Sequence, residues 1–360
     1  MSTPRLARLQ AQLKATGTEL LALAPGAHLR WLLGFAPHPD ERLCLLLVSQ
    51  GGAAFVMPAL NAEDARQHSD LPFFSWDDAD GPAQALADAL AATCPVPARL
   101  SFDETMRADH ALLLIDALPD AARGLGATEI GALRLIKDTA ELASLAENAA
   151  IADRVQQAVR AALRPGVTET DMVQVAREAF AAEGARCEFA IIAFGPNSAF
   201  PHHHSGARRL EPGDAVLVDL GGRRGSHFSD ITRMAAFDGL PEGYEAVHAV
   251  VDQAVEAALA AIRPGARACD VDAAARGVIE RAGYGPYFTH RTGHGIGTEV
   301  HEPPYMTGSN QQLLEEGMVF TVEPGIYLPG RFGIRLEEVA VVTADGARIL
   351  SSLSRALHRG

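Results

Sequence analysis

The chain has 360 residues, of which 48% are hydrophobic and 21% are charged, and its formal net charge is −14. This is the composition of a globular protein that is long enough for two domains. The acidic balance argues against a general nucleic-acid-binding protein, which would carry a basic patch. No apolar run approaches the roughly 18 residues that a membrane-spanning helix needs.

The N-terminal residues and the cysteines indicate the cellular compartment of the protein. The segment MSTPRLARLQAQL has no apolar core like that of a signal peptide, and it predicts a helix with Thr3 as N-cap and Pro4 at the first position. The four cysteines are scattered, without a C-x-x-C pair: Cys44, Cys94, Cys187 and Cys269. We therefore expect a cytoplasmic protein with reduced thiols and no membrane association.

Strand and helix patterns alternate over the first 130 residues. The predicted strands are Glu19–Ala24, Leu43–Val48, Ala53–Met57 and Arg99–Phe102, and the predicted helices are the one through Leu6, Leu9 and Leu13, Ala85–Ala92 and Asp109–Ala117. The second and third strands would form a hairpin around Gln50-Gly51-Gly52. The alternation predicts a small α/β domain at 1–130, with the Gly/Ala-rich segment Ala121–Gly131 as its boundary.

A long helix opens the second predicted domain, 131–360. Asp138 suits the N-cap and Glu141 the third helical position, which together would form an acidic variant of the capping box. The apolar positions that follow recur at gaps of three and four residues: Leu142, Leu145, Ala149, Ala152, Val155 and Val159. This spacing predicts a helix with one buried face.

The second domain contains an internal repeat. The segment LRPG at 163–166 returns as IRPG at 262–265, 99 residues later, and the aspartates that follow, Asp171 and Asp270, can each cap a helix. The strand Gly213–Asp219 returns as Gly317–Glu323, 104 residues later, and both copies run from a glycine to a carboxylate. Offsets this similar indicate one duplicated unit.

The duplication brings four acidic residues into one candidate site. Asp219 is followed by Asp230, and Glu323 is followed by Glu337, so each half would place one carboxylate on each of two adjacent strands. If the halves face each other, the four carboxylates converge. They cannot all stay ionised without cations, because each raises the pKa of the others.

The stretch THRTGHGIGTEVHEPP at 289–304 supplies histidines to the same site. Its histidines and glycines are His290, His294, His301, Gly293, Gly295 and Gly297. Glycine permits close approaches that a Cβ would block, so we expect His294 to face a ligand or a metal. Carboxylates with one imidazole suit Mn²⁺, Co²⁺ or Zn²⁺, and two such ions can activate a bridging hydroxide.

Five motifs resemble, in order, those of the creatinase/prolidase-type metallopeptidases, the pita-bread family M24: VLVDLGG, SDITR, HRTGHGIGTEVHEPP, TVEPGIY and GIRLEE. The resemblance covers roughly 135–360, and the region before it is more loosely similar to the N-terminal domain of prolidases and Xaa-Pro aminopeptidases. It implies an α+β protein in which a pita-bread catalytic domain with a pseudo-twofold repeat follows a smaller, non-catalytic α/β domain. It also implies a homodimer.

The resemblance implies a site built around two divalent metal ions, with Mn²⁺ as the first expectation and Co²⁺ or Zn²⁺ as alternatives. The implied ligands are Asp219, Asp230, His294, Glu323 and Glu337. Asp219 would bind one ion, Asp230 and Glu337 would bridge both, and His294 and Glu323 would complete the shell of the other. Other matches are the substrate-facing His202 and His301, the nearby Arg335, and the supporting His290, Thr232 and Tyr327.

Two details depart from the family pattern. Three consecutive histidines stand where the family has one, and we predict that His203 and His204 are exposed loop residues. Glu338 stands where the family usually has aspartate, which predicts a looser environment beside Glu337.

The implied activity is hydrolysis of the N-terminal Xaa-Pro bond of a short peptide by a metal-bridging hydroxide. Glu323 would carry the proton, His202 would stabilise the oxyanion, and His301 would hold the substrate. Arg335 would stabilise the intermediate or bind a substrate carboxylate.

Several functions stay open. We predict an Xaa-Pro aminopeptidase first and an Xaa-Pro dipeptidase, or prolidase, second. Further alternatives are a methionine aminopeptidase, a metal-dependent lyase or C–N hydrolase on the same fold, and an inactive peptide-binding module. The sequence alone leaves open the substrate length, the preferred first residue and the native metal.

Overall fold

The computed structural model describes residues 4–359, so the predicted N-cap Thr3 lies outside the described residues. The chain folds into two compact units, and the division between them falls between Arg134 and Leu135. A short helix, α6 (Ile130–Leu135), spans this point. No helix among residues 4–359 is long and apolar enough to cross a membrane.

The N-terminal unit is a mixed sheet of six strands with helices on both faces. Its strands are β1 (Leu20–Leu23), β2 (Leu45–Ser49), β3 (Ala53–Pro58), β4 (Phe73–Trp76), β5 (Arg99–Phe102) and β6 (Ala122–Leu125). Its helices are α1 (Pro4–Thr16), α2 (Ala27–Leu33), α3 (Ala59–Arg66), α4 (Ala83–Thr93), α5 (Ala108–Ala117) and α6 (Ile130–Leu135). The strand order is β4-β3-β2-β1-β5-β6, antiparallel in the β1–β2 and β2–β3 pairs and parallel elsewhere.

The central strand β1 is buried on both faces, because successive side chains alternate between them. Leu21 packs in one core with Leu9 of α1, and Leu20 packs in the other with Leu86 of α4. The structure confirms the predicted hairpin of β2 and β3 and the predicted helices α1, α4 and α5.

Five short elements of this unit were not predicted: α2, α3, α6, β4 and β6. The two strands are only partly buried, so their sequences lack the apolar alternation that a half-buried strand shows. Strand β6 lies inside Ala121–Gly131, the segment predicted as the boundary, and pairs with β5 in the N-terminal sheet.

The first half of the C-terminal unit consists of two helices followed by a sheet. Its elements are α7 (Thr139–Ala161), α8 (Glu169–Ala182), β7 (Arg186–Phe194), β8 (Asp214–Arg224), β9 (His227–Phe228) and β10 (Ile231–Phe237). The sheet order is β18-β10-β8-β7, and β9 pairs with β8. Strand β18 (His358–Arg359) comes from the end of the chain.

The second half repeats this order. Its elements are α9 (Tyr244–Ala261), α10 (Ala268–Arg281), β11 (Gly293–Gly295), β12 (Glu302–Met306), β13 (Val319–Val322), β14 (Gly325–Leu328), β15 (Phe332–Arg335), β16 (Glu338–Thr343) and β17 (Gly346–Ile349). The sheet order is β12-β11-β13-β16-β17, and β14 and β15 form a separate hairpin. In each half a helix pair precedes three antiparallel strands, which confirms the predicted repeat and the α+β class.

Helix starts show where the predictions were right and where they were wrong. Asp138 and Glu141 form the predicted capping box of α7, with both bonds at 2.9 Å. Asp171 and Asp270 are not N-caps. Each is the third residue of its helix and accepts a hydrogen bond from the backbone N–H three residues earlier, that of Thr168 or of Arg267. The two helices therefore begin earlier than predicted.

Candidate metal centre

Two pairs of antiparallel strands position the four carboxylates. Asp219 lies in β8 opposite Thr232 of β10, and Asp230 immediately precedes β10. Glu323 directly follows β13, and Glu337 directly precedes β16, the neighbour of β13. Each half of the repeat thus contributes one carboxylate from each of two adjacent strands, as the sequence analysis expected.

His294 extends from β11 toward these acids. Its Nε2 lies 3.2 Å from Oε1 of Glu323 and 3.6 Å from Oδ2 of Asp230. Its Nδ1 lies 3.1 Å from the carbonyl oxygen of Gly295. When Nδ1–H donates to this carbonyl, Nε2 keeps a lone pair that faces the carboxylates. A lone pair directed at anions suits a cation held between them.

The glycines beside His294 allow neighbouring strands to approach. A Cβ at Gly293 would lie 1.8 Å from the carbonyl oxygen of Thr321, and one at Gly295 would lie 2.2 Å from that of Pro303. Neither glycine has a left-handed backbone. From the sequence we expect these glycines to let a ligand or a metal approach His294 closely, whereas the close approach is that of strands β12 and β13.

The carboxylates disturb one another's protonation. Burial raises the pKa of Asp230 well above its usual value, and Glu337 and Asp219 raise it further. The pKa of Glu337 is also raised well above its usual value, first by burial and then by the charges of Glu323 and Asp219. At Asp219, burial raises the pKa, Arg335 opposes this, and the net shift is upward. Glu323 differs: burial raises its pKa, but the contact with His294 and the charges of His290 and Arg335 together outweigh burial and lower the pKa to about 2.

The donor set fits divalent cations. Among the described residues no donor reaches Oδ1 of Asp219 or Oε1 of Glu337, although both atoms are buried. Ligand atoms of Asp219, Asp230 and Glu337 all lie within 4.8 Å of one another, and so do those of His294, Glu323 and Glu337. Glu337 belongs to both groups. Buried anionic oxygens without donors are costly unless a cation binds them.

Arg335, at the end of β15, lies beside Asp219 and is held on several sides. It donates through Nη2 to Oδ2 of Asp219, through Nε to Oγ1 of Thr232 at 3.1 Å, and through Nη1 to the Tyr327 hydroxyl at 2.8 Å. A longer Nη1 contact, 3.4 Å, reaches the carbonyl oxygen of Pro201. Burial lowers the pKa of Arg335, but Tyr327 and Asp219 outweigh it, so the guanidinium stays charged.

The three supporting residues extend these contacts. Thr232 donates to Oε2 of Glu337 at 2.8 Å. The Tyr327 hydroxyl lies 2.8 Å from Nε2 of His290, whose Nδ1 lies 2.7 Å from the carbonyl oxygen of Arg291. Burial raises the pKa of Tyr327 to about 12, so the phenol keeps its proton and can donate it to His290.

The acids lie in a cleft of about 750 Å³ that His202 and His301 also line. Both histidines are exposed to solvent. The rings of His301 and His294 meet edge-on, with centroids 4.1 Å apart. The cleft still covers part of the His301 ring, and this partial burial, followed by the neighbouring His294, lowers the pKa of His301 to about 4. An accessible neutral imidazole can donate to or accept from a substrate.

Two predictions about neighbouring residues were wrong. His203 is only 15% exposed at its side chain, and its Nε2 lies 2.8 Å from Oε2 of Glu169, whereas His204 is exposed as predicted. Glu338 does not have a loose environment. It is buried and pairs with Arg233 at 2.9 Å and with Arg355 at 3.1 Å.

Five residues that line the cleft were not predicted as site residues: Phe189, Ile191, Pro201, Arg291 and Val300. Arg291 and Val300 lie within the histidine-rich stretch, so their position in the sequence could have indicated them. The Arg291 guanidinium lies 4.6 Å from the centroid of the Tyr305 ring. None of the residues that the structure describes offers it a carboxylate partner.

Two family models match the chain. Residues 143–344 match the model of metallopeptidase family M24, and residues 5–136 match that of the creatinase/prolidase N-terminal domain. The first family implies a divalent metal, and the acid–histidine groups at the site agree with this.

Relatives match nearly the whole chain. A probable dipeptidase, PepE, of Mycobacterium tuberculosis (strain ATCC 25618 / H37Rv) is 39% identical over 350 residues, which cover 95% of this chain and 92% of that protein. The Xaa-Pro dipeptidase of Lactobacillus delbrueckii subsp. lactis is 32% identical over 359 residues, or 98% of each chain. A prolidase structure from Thermococcus sibiricus has a TM-score of 0.94 at 33% identity and covers 100% of this chain and 99% of its own. In fold, site composition and sequence, therefore, the chain belongs to metallopeptidase family M24 and is a hydrolase of the prolidase type, as its motifs predicted.

Proposed function

We propose that the protein is an Xaa-Pro dipeptidase that uses two divalent ions. The observation that carries this proposal is the set of four carboxylates and His294, all buried except the partly buried Glu323, in which two ligand groups share Glu337. Asp219, Asp230, His294, Glu323 and Glu337 would hold the ions, with Mn²⁺ as the first candidate. When bound, the ions would supply a hydroxide nucleophile at neutral pH.

The side chains of the cleft then have separate roles. Glu323 accepts the proton of the nucleophile on a carboxylate oxygen and delivers it to the nitrogen of the leaving proline. His202 donates to the scissile carbonyl oxygen as negative charge develops there. His301, whose ring contacts that of His294, orients the substrate.

Arg335 is better suited to holding Asp219 than to touching the substrate. A guanidinium has five N–H groups, and Arg335 directs four of them to Asp219, Thr232, Tyr327 and Pro201. Of the two roles expected from the sequence, binding of a substrate carboxylate fits Arg291 instead, because its guanidinium lines the cleft and has no carboxylate partner among residues 4–359.

Two observations favour a dipeptide substrate over a longer peptide. Arg291 would pair with the free carboxylate that a dipeptide brings into the cleft. The Mycobacterium relative is named a probable dipeptidase and the Lactobacillus relative an Xaa-Pro dipeptidase. For these reasons the dipeptidase precedes the aminopeptidase, which the sequence analysis ranked first and which remains the alternative.

One competition experiment tests the choice. Mn²⁺-loaded enzyme receives an equimolar mixture of an Xaa-Pro dipeptide and an Xaa-Pro-Xaa-Xaa tetrapeptide, and mass spectrometry follows the products. We expect cleavage of the dipeptide alone. Loss of the first residue from the tetrapeptide would make the protein an Xaa-Pro aminopeptidase. If neither peptide changes, the proline-peptide proposal fails, and a metal-dependent lyase or C–N hydrolase becomes the leading alternative.

A further inference from the structure

A buried carboxylate, Glu169, secures the segment that carries His202. Glu169 is the first residue of α8, and its side chain is 0% exposed. It accepts four hydrogen bonds, from Phe194 N at 2.9 Å, Asn197 Nδ2 at 2.9 Å, His203 Nε2 at 2.8 Å and Gly206 N at 2.8 Å. Two of these donors precede His202 in the chain and two follow it. The Glu169 carboxylate is therefore hydrogen-bonded to both ends of segment 194–206.

His202 depends on this segment for its position. Its ring makes no hydrogen bond to any of the described residues, so the backbone on either side determines where it lies. That backbone is fixed by His203, whose N–H donates to the carbonyl oxygen of Phe200 at 3.1 Å and whose ring donates to Glu169. Further along, Ser205 donates to the carbonyl oxygen of Ile192 at 2.9 Å.

The bond between His203 and Glu169 is well placed to be strong. Burial raises the pKa of Glu169, but its bonds from His203, Asn197, Phe194 and Gly206 outweigh burial and lower the pKa below its usual value. The carboxylate is therefore ionised at neutral pH, and hydrogen bonds to an ionised acceptor are roughly twice as strong as neutral ones. His204, the next residue, is exposed and makes no such bond.

We propose that His203 is a positioning residue for the reaction, because its Nε2–H bond to buried Glu169 holds the adjacent His202 ring in the cleft. This inference rests on the role proposed for His202. It gives the second of the three consecutive histidines a function and leaves the third without one.

The test compares steady-state kinetics of four single variants: His202→Ala, His203→Ala, His203→Gln and His204→Ala. Because His202 is proposed to act in the transition state, His203→Ala should lower kcat about 10- to 100-fold with little change in KM. The Gln variant places an N–H donor near the position of Nε2, so it should recover most of the lost kcat. The matched control, His204→Ala, should keep the wild-type kcat.

A double variant separates positioning from general damage to the fold. In the His202→Ala background, His203→Ala should lower kcat by less than twofold, because the residue through which it acts is gone. Metal content and the thermal midpoint of each variant are measured alongside. His203→Leu, which fills more of the space, replaces His203→Ala if the alanine variant does not fold.

Different results overturn different proposals. An equal loss of kcat in the presence and absence of His202 would show that His203 acts through the fold, and would overturn this inference alone. This inference alone would also be overturned by a Gln variant that is as slow as the Ala variant, or by a wild-type kcat in His203→Ala. A wild-type kcat in His202→Ala would instead overturn the proposed role of His202, and this inference with it.

Discussion

Two adjacent glutamates, Glu337 and Glu338, have opposite environments although their side chains are chemically identical. Glu337 has one oxygen bonded to Thr232 and the other without a donor among residues 4–359. Glu338 also has one oxygen without a donor in that range, but its other oxygen accepts hydrogen bonds from Arg233 and Arg355. At the residue scale the difference is one of charge, because Glu337 lies among other carboxylates, where a cation is needed, whereas Glu338 lies beside two arginines that neutralise it.

Isosteric substitutions can distinguish the roles of Glu337 and Glu338. Glu337→Gln keeps the size and an acceptor for Thr232 but removes a charge shared by two ligand groups, so metal content and turnover should both fall sharply. Glu338→Gln leaves Arg233 buried with less compensation, so the free energy of unfolding should fall by about 3 kcal/mol while bound metal is retained. Elemental analysis after gel filtration and urea unfolding measure the two effects. Full metal content in the Glu337 variant would contradict the two-ion site.

Arg291 allows a residue-scale test of dipeptide recognition. If its guanidinium binds the free carboxylate of the substrate, Arg291→Met should raise KM for an Xaa-Pro dipeptide about tenfold or more, which corresponds to at least one charge-assisted hydrogen bond. The same substitution should leave KM for the corresponding Xaa-Pro amide nearly unchanged, because the amide brings no charge. Equal increases of KM for both substrates would show that Arg291 does not recognise the carboxylate.

At the scale of elements, strand β11 is packed closely against the strands on either side of it. A Cβ at Gly295 would lie within 2.5 Å of three backbone atoms of Glu302 and Pro303, at the start of β12. Backbone atoms of a paired strand cannot move aside as a flexible side chain can. Any displacement of β12 would also move the adjacent His301.

We therefore expect Gly295→Ala to lower the free energy of unfolding by about 3 kcal/mol and to reduce metal content. Gly308→Ala is the matched control, since its Cβ would meet only Oδ2 of Asp272, at 3.6 Å, an ordinary contact. That variant should stay within about 0.5 kcal/mol of wild type. Chemical denaturation of both variants measures the difference, and similar stabilities would show that β12 accommodates the methyl group.

Some elements could be predicted from the sequence because each carries its own pattern. Apolar runs in β8 and β13 lead up to Asp219 and Glu323, so both the strands and the acids could be found locally. The partial burial of His203 could not be predicted, because its partner Glu169 lies 34 residues away in the sequence. Short, partly exposed elements such as β4 also escaped, because their burial depends on neighbouring strands rather than on their own residues.

The site was predictable to a similar degree. The motifs identified the five acidic and histidine residues that the structure brings together, but not the hydrogen bonds that distinguish them. Whether Arg335 faces Asp219 or a substrate depends on contacts with Tyr327 and Thr232, which only the folded chain defines. The same holds for Arg291, whose lack of a carboxylate partner among the described residues is visible only in the structure.

At the scale of the whole molecule, each unit has hydrophobic cores of its own, and the proposed ligands all belong to the C-terminal unit. Both tryptophans of the chain, Trp31 and Trp76, belong to the N-terminal unit. Tryptophan fluorescence therefore reports on one unit, and metal binding would act on the other.

This distribution predicts that metal shifts one unfolding transition and leaves the other in place. Mn²⁺ at about 100 times its dissociation constant should stabilise the unit that binds it by about 2.7 kcal/mol, because the ion binds the folded form alone. Calorimetry of the full chain should show this transition move to lower temperature when a chelator removes the metal. The midpoint seen by tryptophan fluorescence should stay the same with Mn²⁺ and with chelator. If it moves together with the calorimetric transition, the two units unfold as one, and the metal stabilises residues far from its ligands.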